Sequence, residues 1–186
     1  FNEIIDMAKY APVIIMGEEN NLEFVTFGGI SPEVTIYNDE TIYVPMFLQS
    51  YPFLNVVLKD KKGELKSVIG FDKGESCGTK KANPSFRSSG ELETIASQKI
   101  EIVMKLNKQR DISKKIVAEL KKYDLLIQKD FRINYQKESK VILDKFYIVN
   151  REKLITLDDA IVALWAKKGW ITLIDIHLKS LSNFKK

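Results

Sequence analysis

The segment at residues 60–63 constrains the fold more than any other feature of this sequence. Asp60-Lys61-Lys62-Gly63 is a short polar turn between two apolar runs, Phe53–Leu58 and Leu65–Phe71, and both runs are rich in β-branched and aromatic residues. Apolar runs of this kind that flank a turn ending in glycine are typical of a β-hairpin. The pattern therefore predicts a pair of antiparallel strands.

The chain before this hairpin carries the same signal. Further β-rich runs are separated by polar or glycine-containing segments: Val13–Met16, Leu22–Phe27, Val34–Tyr37 and Ile42–Val44. The opening residues have a helical spacing of apolar side chains, which Pro12 ends. We therefore expect a short helix and then mostly antiparallel strands up to residue 71.

The middle of the chain has a different character. Residues 72–90 lack periodicity and are rich in Gly, Ser, Lys, Asn and Pro, which predicts a long loop. Ser88 and Glu91 have the spacing of a helix-capping box, and the apolar stripe that follows predicts an amphipathic helix over residues 91–122. The stripe fits either one long helix or two helices in series with a bend near Asp111.

The last third of the chain returns to strands and then to helices. Alternating apolar residues predict strands within residues 126–135 and 141–149. Thr156, with Asp159 at the third helical position, predicts the start of a helix in which the nearly all-apolar residues 161–165 are deeply buried. Gly169 has the place of a left-handed helix end, and a last amphipathic helix is predicted from Trp170 to Phe184.

These elements define the expected fold class. We predict one α+β domain over residues 1–186, in which an antiparallel sheet packs against a long helix and a C-terminal helix pair. The sheet is expected to be built largely from residues 12–71 and 126–149, and the helices that cover it from residues 91–122 and 156–184.

The composition excludes several chemistries. The single cysteine excludes an intrachain disulfide, and the single histidine excludes metal sites built from several imidazoles. No glycine pattern for phosphate binding is present, so we expect neither a metal nor a cofactor. The net charge of +4 comes mostly from lysine rather than arginine, which argues against a nucleic-acid partner. No apolar run is long enough for a transmembrane segment.

His177 and Cys77 are the weak candidates for catalytic residues. His177 shares a helix face with Trp170, Leu173 and Leu181, so it is either a buried structural residue or a general base in a pocket. Cys77 lies among glycines with Lys73 and Lys80 nearby, so it is either a nucleophile whose thiol pKa the positive charges lower or an incidental loop cysteine. If His177 is buried against Trp170, we expect its substitution to change stability alone.

Aromatic residues near two X-Pro steps, at residues 44–45 and 51–52, form another candidate site. Tyr43, Phe47 and Tyr51 either belong to the core or line an exposed apolar groove that suits a peptide or a glycan. We take these three as candidate ligand-binding residues.

Short motifs along the chain occur in the order found in a known family. The first half contains Tyr10-Ala11-Pro12-Val13, Tyr43-Val44-Pro45, Tyr51-Pro52-Phe53 and Ile69-Gly70-Phe71-Asp72. The second half contains Leu125-Leu126, Phe146-Tyr147-Ile148 with Leu154, and Gly169-Trp170 followed by His177-Leu178-Lys179-Ser180-Leu181. No single motif is specific, but the ordered set, over nearly the whole chain, resembles the SapC family.

The resemblance implies a biological setting. The family takes its name from a gene beside a surface-layer (S-layer) locus in Campylobacter, so it implies a bacterial accessory protein that is either cytoplasmic or associated with the cell surface. It implies no catalytic residue, and the segment at residues 72–76 has fewer carboxylates than relatives have there, which argues against a metal-binding loop. Because relatives commonly extend further at the N-terminus, we expect this chain to be a truncated fragment.

Three hypotheses for the function follow. The first, which we favour, is a non-catalytic accessory protein that binds a protein or a surface-layer component, with a small ligand as an alternative, through a groove at Tyr43, Phe47 and Tyr51. The second is an enzyme, or the partner of an enzyme, with a small-ligand, peptide or glycan pocket that uses His177 and Cys77 beside residues 72–90. The third is a basic surface that docks on an acidic partner or a glycan.

Overall fold

The described residues contain both α-helices and antiparallel strands, which confirms the α+β class. The computed structural model describes residues 2–18, 21–30, 35–36, 43–72, 94–135 and 138–185. The helices are α1 (Asn2–Met7), α2 (Met46–Gln49), α3 (Thr94–Lys122), α4 (Arg151–Leu154), α5 (Asp159–Lys167), α6 (Trp170–Ser180) and a terminal 3₁₀ helix (Leu181–Lys185). The strands are β1 (Val13–Met16), β2 (Glu23–Thr26), β3 (Phe53–Lys59), β4 (Leu65–Phe71), β5 (Leu126–Tyr135) and β6 (Glu138–Val149).

The chain divides into two compact units. The first unit comprises residues 1–43 and 110–186, and the second unit comprises residues 44–109. Helix α3 is continuous, so of the two alternatives for this region the single long helix is confirmed. A single domain over residues 1–186 stays a prediction, because two compact units can still unfold together.

The first unit contains a four-stranded antiparallel sheet in the order β2-β1-β6-β5. The predicted hairpin of β1 and β2 is confirmed, with Val13 opposite Thr26. Strands β5 and β6 form a long hairpin, and β1 joins it where Ile15 lies opposite Tyr147. Strand β1 is thus an inner strand of the sheet.

The core of the first unit forms around β1. Its residues Val13, Ile14 and Ile15 are fully buried, and because successive side chains of a strand point to opposite faces, both faces of the sheet are covered there. On one face the sheet residues pack with buried side chains of α3, α5 and α6: Ile116, Val117, Leu120, Trp165, Leu173 and Ile174. This confirms the expected cover of one long helix and C-terminal helices.

The second unit contains the hairpin of β3 and β4, in which Phe53 lies opposite Phe71. The Asp60 carboxylate closes the predicted turn by accepting hydrogen bonds from the N–H groups of Lys62 at 2.8 Å and Glu64 at 3.0 Å. Gly63 has the positive φ of 82° that such turns require. The small core of this unit is formed by Phe53, Ala96 and Val103, with Phe71 and Ile100 packed against it.

One expectation about the sheet is wrong. Residues 12–71 and 126–149 do not build a single sheet, because β3 and β4 pair only with each other among the described residues. The turn at residues 60–64 dictates which strands form a hairpin, whereas the local sequence does not specify a lateral neighbour for that hairpin.

The helix after residue 156 also differs from its prediction. Asp158, not Thr156, is the N-cap, and its side chain accepts a hydrogen bond from the N–H of Ala160 at 2.8 Å. Only Trp165 of the stretch 161–165 is buried, while Leu164 is 50% exposed. One residue along a helix rotates a side chain by about 100°, so a single stripe of α5 faces the core. Gly169 has the predicted left-handed conformation, with φ 73°.

Several predicted segments lie outside the described residues. These include residues 34 and 37 of the strand expected at 34–37, residue 42 of the strand expected at 42–44, and the loop at residues 72–90 except for Asp72. Of the residues that are described, Thr35 forms an isolated bridge with Gly29, and Tyr43 and Val44 are not in a strand.

Candidate functional site

His177 lies on α6 with its side chain completely buried, at 0% exposure. Its Nε2 accepts a hydrogen bond from the N–H of Val149 on β6 at 3.1 Å. Since that nitrogen is the acceptor, Nδ1 carries the proton and donates it to the carbonyl oxygen of Val13 on β1, at 2.6 Å. The ring of Phe24 packs edge-on against the imidazole with a centroid distance of 5.5 Å.

The position of His177 follows from the pairing of β1 and β6. Ile15 lies opposite Tyr147, so the same register would place Val13 opposite Val149. The N–H of Phe27 on the β2 side bonds to the carbonyl of Pro12. Since hydrogen-bonded and non-bonded pairs alternate along an antiparallel ladder, the N–H and C=O of the next residue, Val13, point away from β2 and towards β6. The imidazole therefore replaces one rung of the β1–β6 ladder with two hydrogen bonds in series.

Ser180 completes this arrangement, and sequence reasoning missed it. Its hydroxyl accepts a hydrogen bond from the N–H of Val13 at 2.9 Å and donates one to the carbonyl of His177 at 2.7 Å. Both backbone groups of Val13 are thus satisfied by side chains of α6. The i, i+3 spacing of a histidine and a serine on the apolar face of the last helix was the available signal.

Burial keeps the His177 imidazole neutral. Desolvation lowers its pKa to about 4, and the hydrogen bond to Val13 opposes this shift only in part. Both ring nitrogens are engaged by backbone atoms, so the imidazole has no free lone pair for a substrate proton. In this geometry His177 links strands β1 and β6 through its two ring nitrogens. Its assignment as a catalytic residue stays a prediction.

The aromatic candidates are divided between the two units. Tyr43, which is half-buried, is the last residue before the second unit, and Phe47 and Tyr51 lie inside that unit. Phe47 is 59% exposed on α2 and Tyr51 is 36% exposed just after it. The exposed side chains of Val44 and Leu48, which sequence reasoning did not single out, lie in the same short segment.

The backbone that carries Phe47 is firmly held within the second unit. Met46 and Ser50 are buried, and the Ser50 hydroxyl lies 2.9 Å from the Phe47 carbonyl oxygen and 3.2 Å from that of Phe53. The Lys99 ammonium on α3 donates a hydrogen bond to the Tyr51 carbonyl at 2.5 Å. The exposed ring of Phe47 is therefore presented by an ordered support.

Exposed apolar side chains are concentrated in the second unit. More than half of the large apolar side chains that are exposed among the described residues lie there, although it is the smaller unit. On the hairpin they are Val57, Leu58, Leu65, Val68 and Ile69. The register places Val57, Leu65 and Ile69 on one face of the hairpin and Leu58 and Val68 on the other. Exposed apolar side chains that share a face are typical of a binding surface.

The other site predictions have different outcomes. Cys77 lies outside the described residues, so its surroundings stay undefined. Within the described ranges, no group of three or more His, Cys, Asp or Glu side chains is placed to hold a metal ion. The helices in those ranges are also too short or too polar for any of them to cross a membrane.

The fold and its surface define a class: an α+β protein with a histidine-bridged sheet in one unit and an exposed apolar surface in the other. The model of the SapC family matches residues 1–186, and the chain belongs to that family. No curated protein matches the chain, and no solved structure matches it either.

Proposed function

We propose that this SapC-family chain is a non-catalytic accessory protein that binds a protein component of the bacterial surface layer through exposed apolar side chains of the second unit. The observation that carries the proposal is Phe47, an aromatic residue that is 59% exposed on a short, well-anchored helix. Exposed aromatic side chains on ordered supports are common anchors of protein interfaces, because little conformational entropy is lost when they bind.

The other parts of the proposal have separate support. The surface-layer partner is taken from the association of the SapC family with S-layer loci. The absence of catalysis is supported by His177, whose ring nitrogens both bond to backbone atoms inside the core. The neighbours of Phe47 that would share the contact are Val44, Leu48 and Tyr51, and Tyr43 is the further candidate from the sequence.

A site-specific crosslinking experiment in the source bacterium tests this proposal. A photoreactive benzoylphenylalanine replaces Phe47 in one strain and Leu164 in a matched strain, since Leu164 is an apolar residue of the first unit with a similar exposure, 50% against 59%. We expect the probe at position 47 to form a covalent adduct with a surface-layer protein, identified by mass spectrometry, and the probe at position 164 to form little or none.

Two results would contradict the proposal. One is an equal yield of the same adduct from both positions, which would indicate random collision. The other is an adduct at position 47 only with an enzyme or with the chain itself. A Phe47→Ser variant, which keeps the buried anchors Met46 and Ser50, should lose co-purification with the identified partner while its unfolding temperature stays unchanged.

A further inference from the structure

The hairpin of β3 and β4 has an apolar patch on one of its faces. Val57 lies opposite Ser67, so Leu65 and Ile69 are its diagonal neighbours across the strands and share its face. We call Val57, Leu65 and Ile69 the hairpin patch. All three are exposed, with Leu65 the most exposed at 68%.

The turn beside this patch is basic. Lys59, directly opposite Leu65, and Lys61 and Lys62 in the turn are exposed, and none has an ion-pair partner among the described residues. The Asp60 carboxylate does not neutralise them, because it bonds to Lys66 at 2.8 Å and to two backbone N–H groups. The same contacts lower the pKa of Asp60, with the bond to Lys66 the largest cause.

The outer edge of β4 has no partner strand among the described residues. The N–H of Asp72 bonds to the carbonyl of Pro52, which fixes which residue pairs of the hairpin are hydrogen-bonded. Because bonded and non-bonded pairs alternate, the N–H and C=O groups of Ser67 and Ile69 point away from β3. Residues 65–69 are all exposed, and no other strand of the described chain pairs with β4. Lysines often protect such edges, but the single lysine of β4, Lys66, is held by Asp60.

From these features we infer that the β4 edge binds an extended, acidic protein segment as an added strand. The apolar side chains of the segment pack on the hairpin patch, and its carboxylates pair with Lys59, Lys61 and Lys62. This inference rests on the proposed function and specifies the chemistry of the partner. The added strand would also cover a two-stranded hairpin, which is a marginally stable element when alone.

Other occupants fit the surface less well. A second copy of the chain carries the same net charge of +4, so it adds repulsion where carboxylates are needed. An anionic membrane would attract the lysines, but lipid cannot satisfy the outward N–H and C=O groups of the β4 edge. A protein strand supplies both the negative charge and the hydrogen bonds.

Binding of a defined peptide to the full chain tests the inference. The probe is a fluorescently labelled peptide of about seven residues, the length of a typical strand, in which Val-Thr-Val is flanked by two Glu at each end. With Val on the face of the hairpin patch, the terminal Glu residues lie beside the lysines in either strand direction, and the control peptide has Gln in place of Glu. By fluorescence anisotropy at low salt we expect the Glu peptide to bind about tenfold more tightly than the Gln peptide, with the difference disappearing at high salt.

Two proline variants separate the edges of the hairpin. Ser67→Pro removes an outward N–H of β4, and Asn55→Pro removes one of β3, without loss of a ladder hydrogen bond in either case. The variants are matched because the Ser67 and Asn55 side chains bond to each other, so both variants lose that bond. We expect Ser67→Pro to weaken peptide binding by about tenfold or more and Asn55→Pro to leave it within about twofold.

Charge-reversal variants test the lysines, whose side chains are all exposed. Reversal of all three exposed lysines to Glu (Lys59, Lys61 and Lys62) should abolish the preference for the Glu peptide. The control reverses three exposed lysines of the first unit: Lys115, Lys140 and Lys167. Because both triple variants change the net charge equally, a loss in both would overturn the inference.

Three further results would also overturn it: equal binding by the two proline variants, binding to phosphatidylglycerol vesicles but not to the Glu peptide, or dimerisation seen by light scattering that Ser67→Pro abolishes. A crosslink from position 47 to a surface-layer protein, together with no peptide binding, would overturn this inference while the proposed function stands.

Discussion

The imidazole of His177 joins two strands at the point where their direct pairing stops. It accepts from Val149 and donates to Val13, so one neutral tautomer satisfies two buried backbone groups that would otherwise lack partners. No other side chain of similar size presents an acceptor and a donor on opposite edges of one rigid ring. Histidine is therefore needed here because its ring presents a donor and an acceptor at the right positions, and proton transfer plays no part in this role.

Replacement of His177 by Ala is expected to destabilise the protein strongly. The change leaves the carbonyl of Val13 and the N–H of Val149 without their partner and opens a cavity beside Phe24, which together cost about 2–5 kcal/mol of unfolding free energy. Urea unfolding followed by circular dichroism measures the loss. Lys179→Ala, on the exposed side of the same helix, is the control and should cost only a few tenths of a kcal/mol.

The stability of the protein should decrease as the pH falls from 6.5 towards 4. The pKa of His177 is about 4 in the folded protein, whereas an imidazole in water has its ordinary value of 6.5. The unfolded chain therefore binds the proton first and is favoured as the pH falls. The full shift corresponds to about 3 kcal/mol. Unfolding free energies measured across this pH range should show the slope in the wild type, and a His177→Ala variant with the same slope would contradict it.

At the scale of elements, helix α3 secures the outer strand β2. The Ser113 hydroxyl accepts a hydrogen bond from the N–H of Phe24 at 2.8 Å, a backbone group at the free edge of the sheet. The Arg110 guanidinium pairs with both carboxylate oxygens of Glu23, at 2.8 and 2.5 Å, and this hydrogen bonding raises the pKa of Arg110. One turn of α3 thus closes the sheet edge with a neutral and a charged contact.

Ser113→Ala is expected to cost about 1–2 kcal/mol, because it leaves the buried N–H of Phe24 without an acceptor. Ser182→Ala is the matched control, since the exposed Ser182 hydroxyl bonds only to the carbonyl of Lys179 and water can replace it. Thermal unfolding of the two variants would show the difference. Equal midpoints would indicate that the Ser113 contact contributes nothing.

The hairpin of the second unit depends on the absence of a side chain at Gly70. A Cβ at this position would lie 2.7 Å from Cγ2 of Val56 on the facing strand, and Val is stiff about χ1. We expect Gly70→Ala to destabilise the hairpin by about 1–3 kcal/mol and the added change Val56→Ala to recover part of this loss. A double-mutant cycle by thermal unfolding measures the coupling, and additive effects would contradict the contact.

At the scale of the whole molecule, the two units differ in the size of their cores. Among the described residues, twelve buried side chains form the main cluster of the first unit, whereas three form that of the second. Because resistance to local opening increases with buried apolar contact, the first unit should contain the slowest-exchanging amides.

Hydrogen exchange followed by mass spectrometry tests this difference. We expect amides of β1 and β6 to exchange at least about tenfold more slowly than those of β3 and β4. In the His177→Ala variant, exchange should accelerate in β1 and β6 while β3 and β4 keep their wild-type rates. A uniform acceleration would show that the units open together, as a single domain would.

The sequence predicted more of the fold than of the candidate site. The hairpins, the long helix and the left-handed Gly169 could be predicted because turns, caps and apolar periodicity are local signals. Phe47 and Tyr51 could be identified as candidates from the sequence, but their exposure could not be predicted. The local sequence pattern around an aromatic residue is the same whether that residue is buried in a core or exposed on a surface. The predicted burial of Leu164 was wrong for the same reason, because the sequence of α5 alone does not show which face of the helix packs against the core.

By itself the sequence determined the types of the elements, the α+β class and the ordered motifs of the SapC family, because these depend on residues close together in the chain. Only the tertiary structure decided that His177 and Ser180 bond to the backbone of Val13, more than 160 residues away, and that among the described strands β3 and β4 pair only with each other. Lateral strand pairing and burial depend on contacts between segments that are distant in sequence, and a local sequence pattern does not specify which distant segment will pack there.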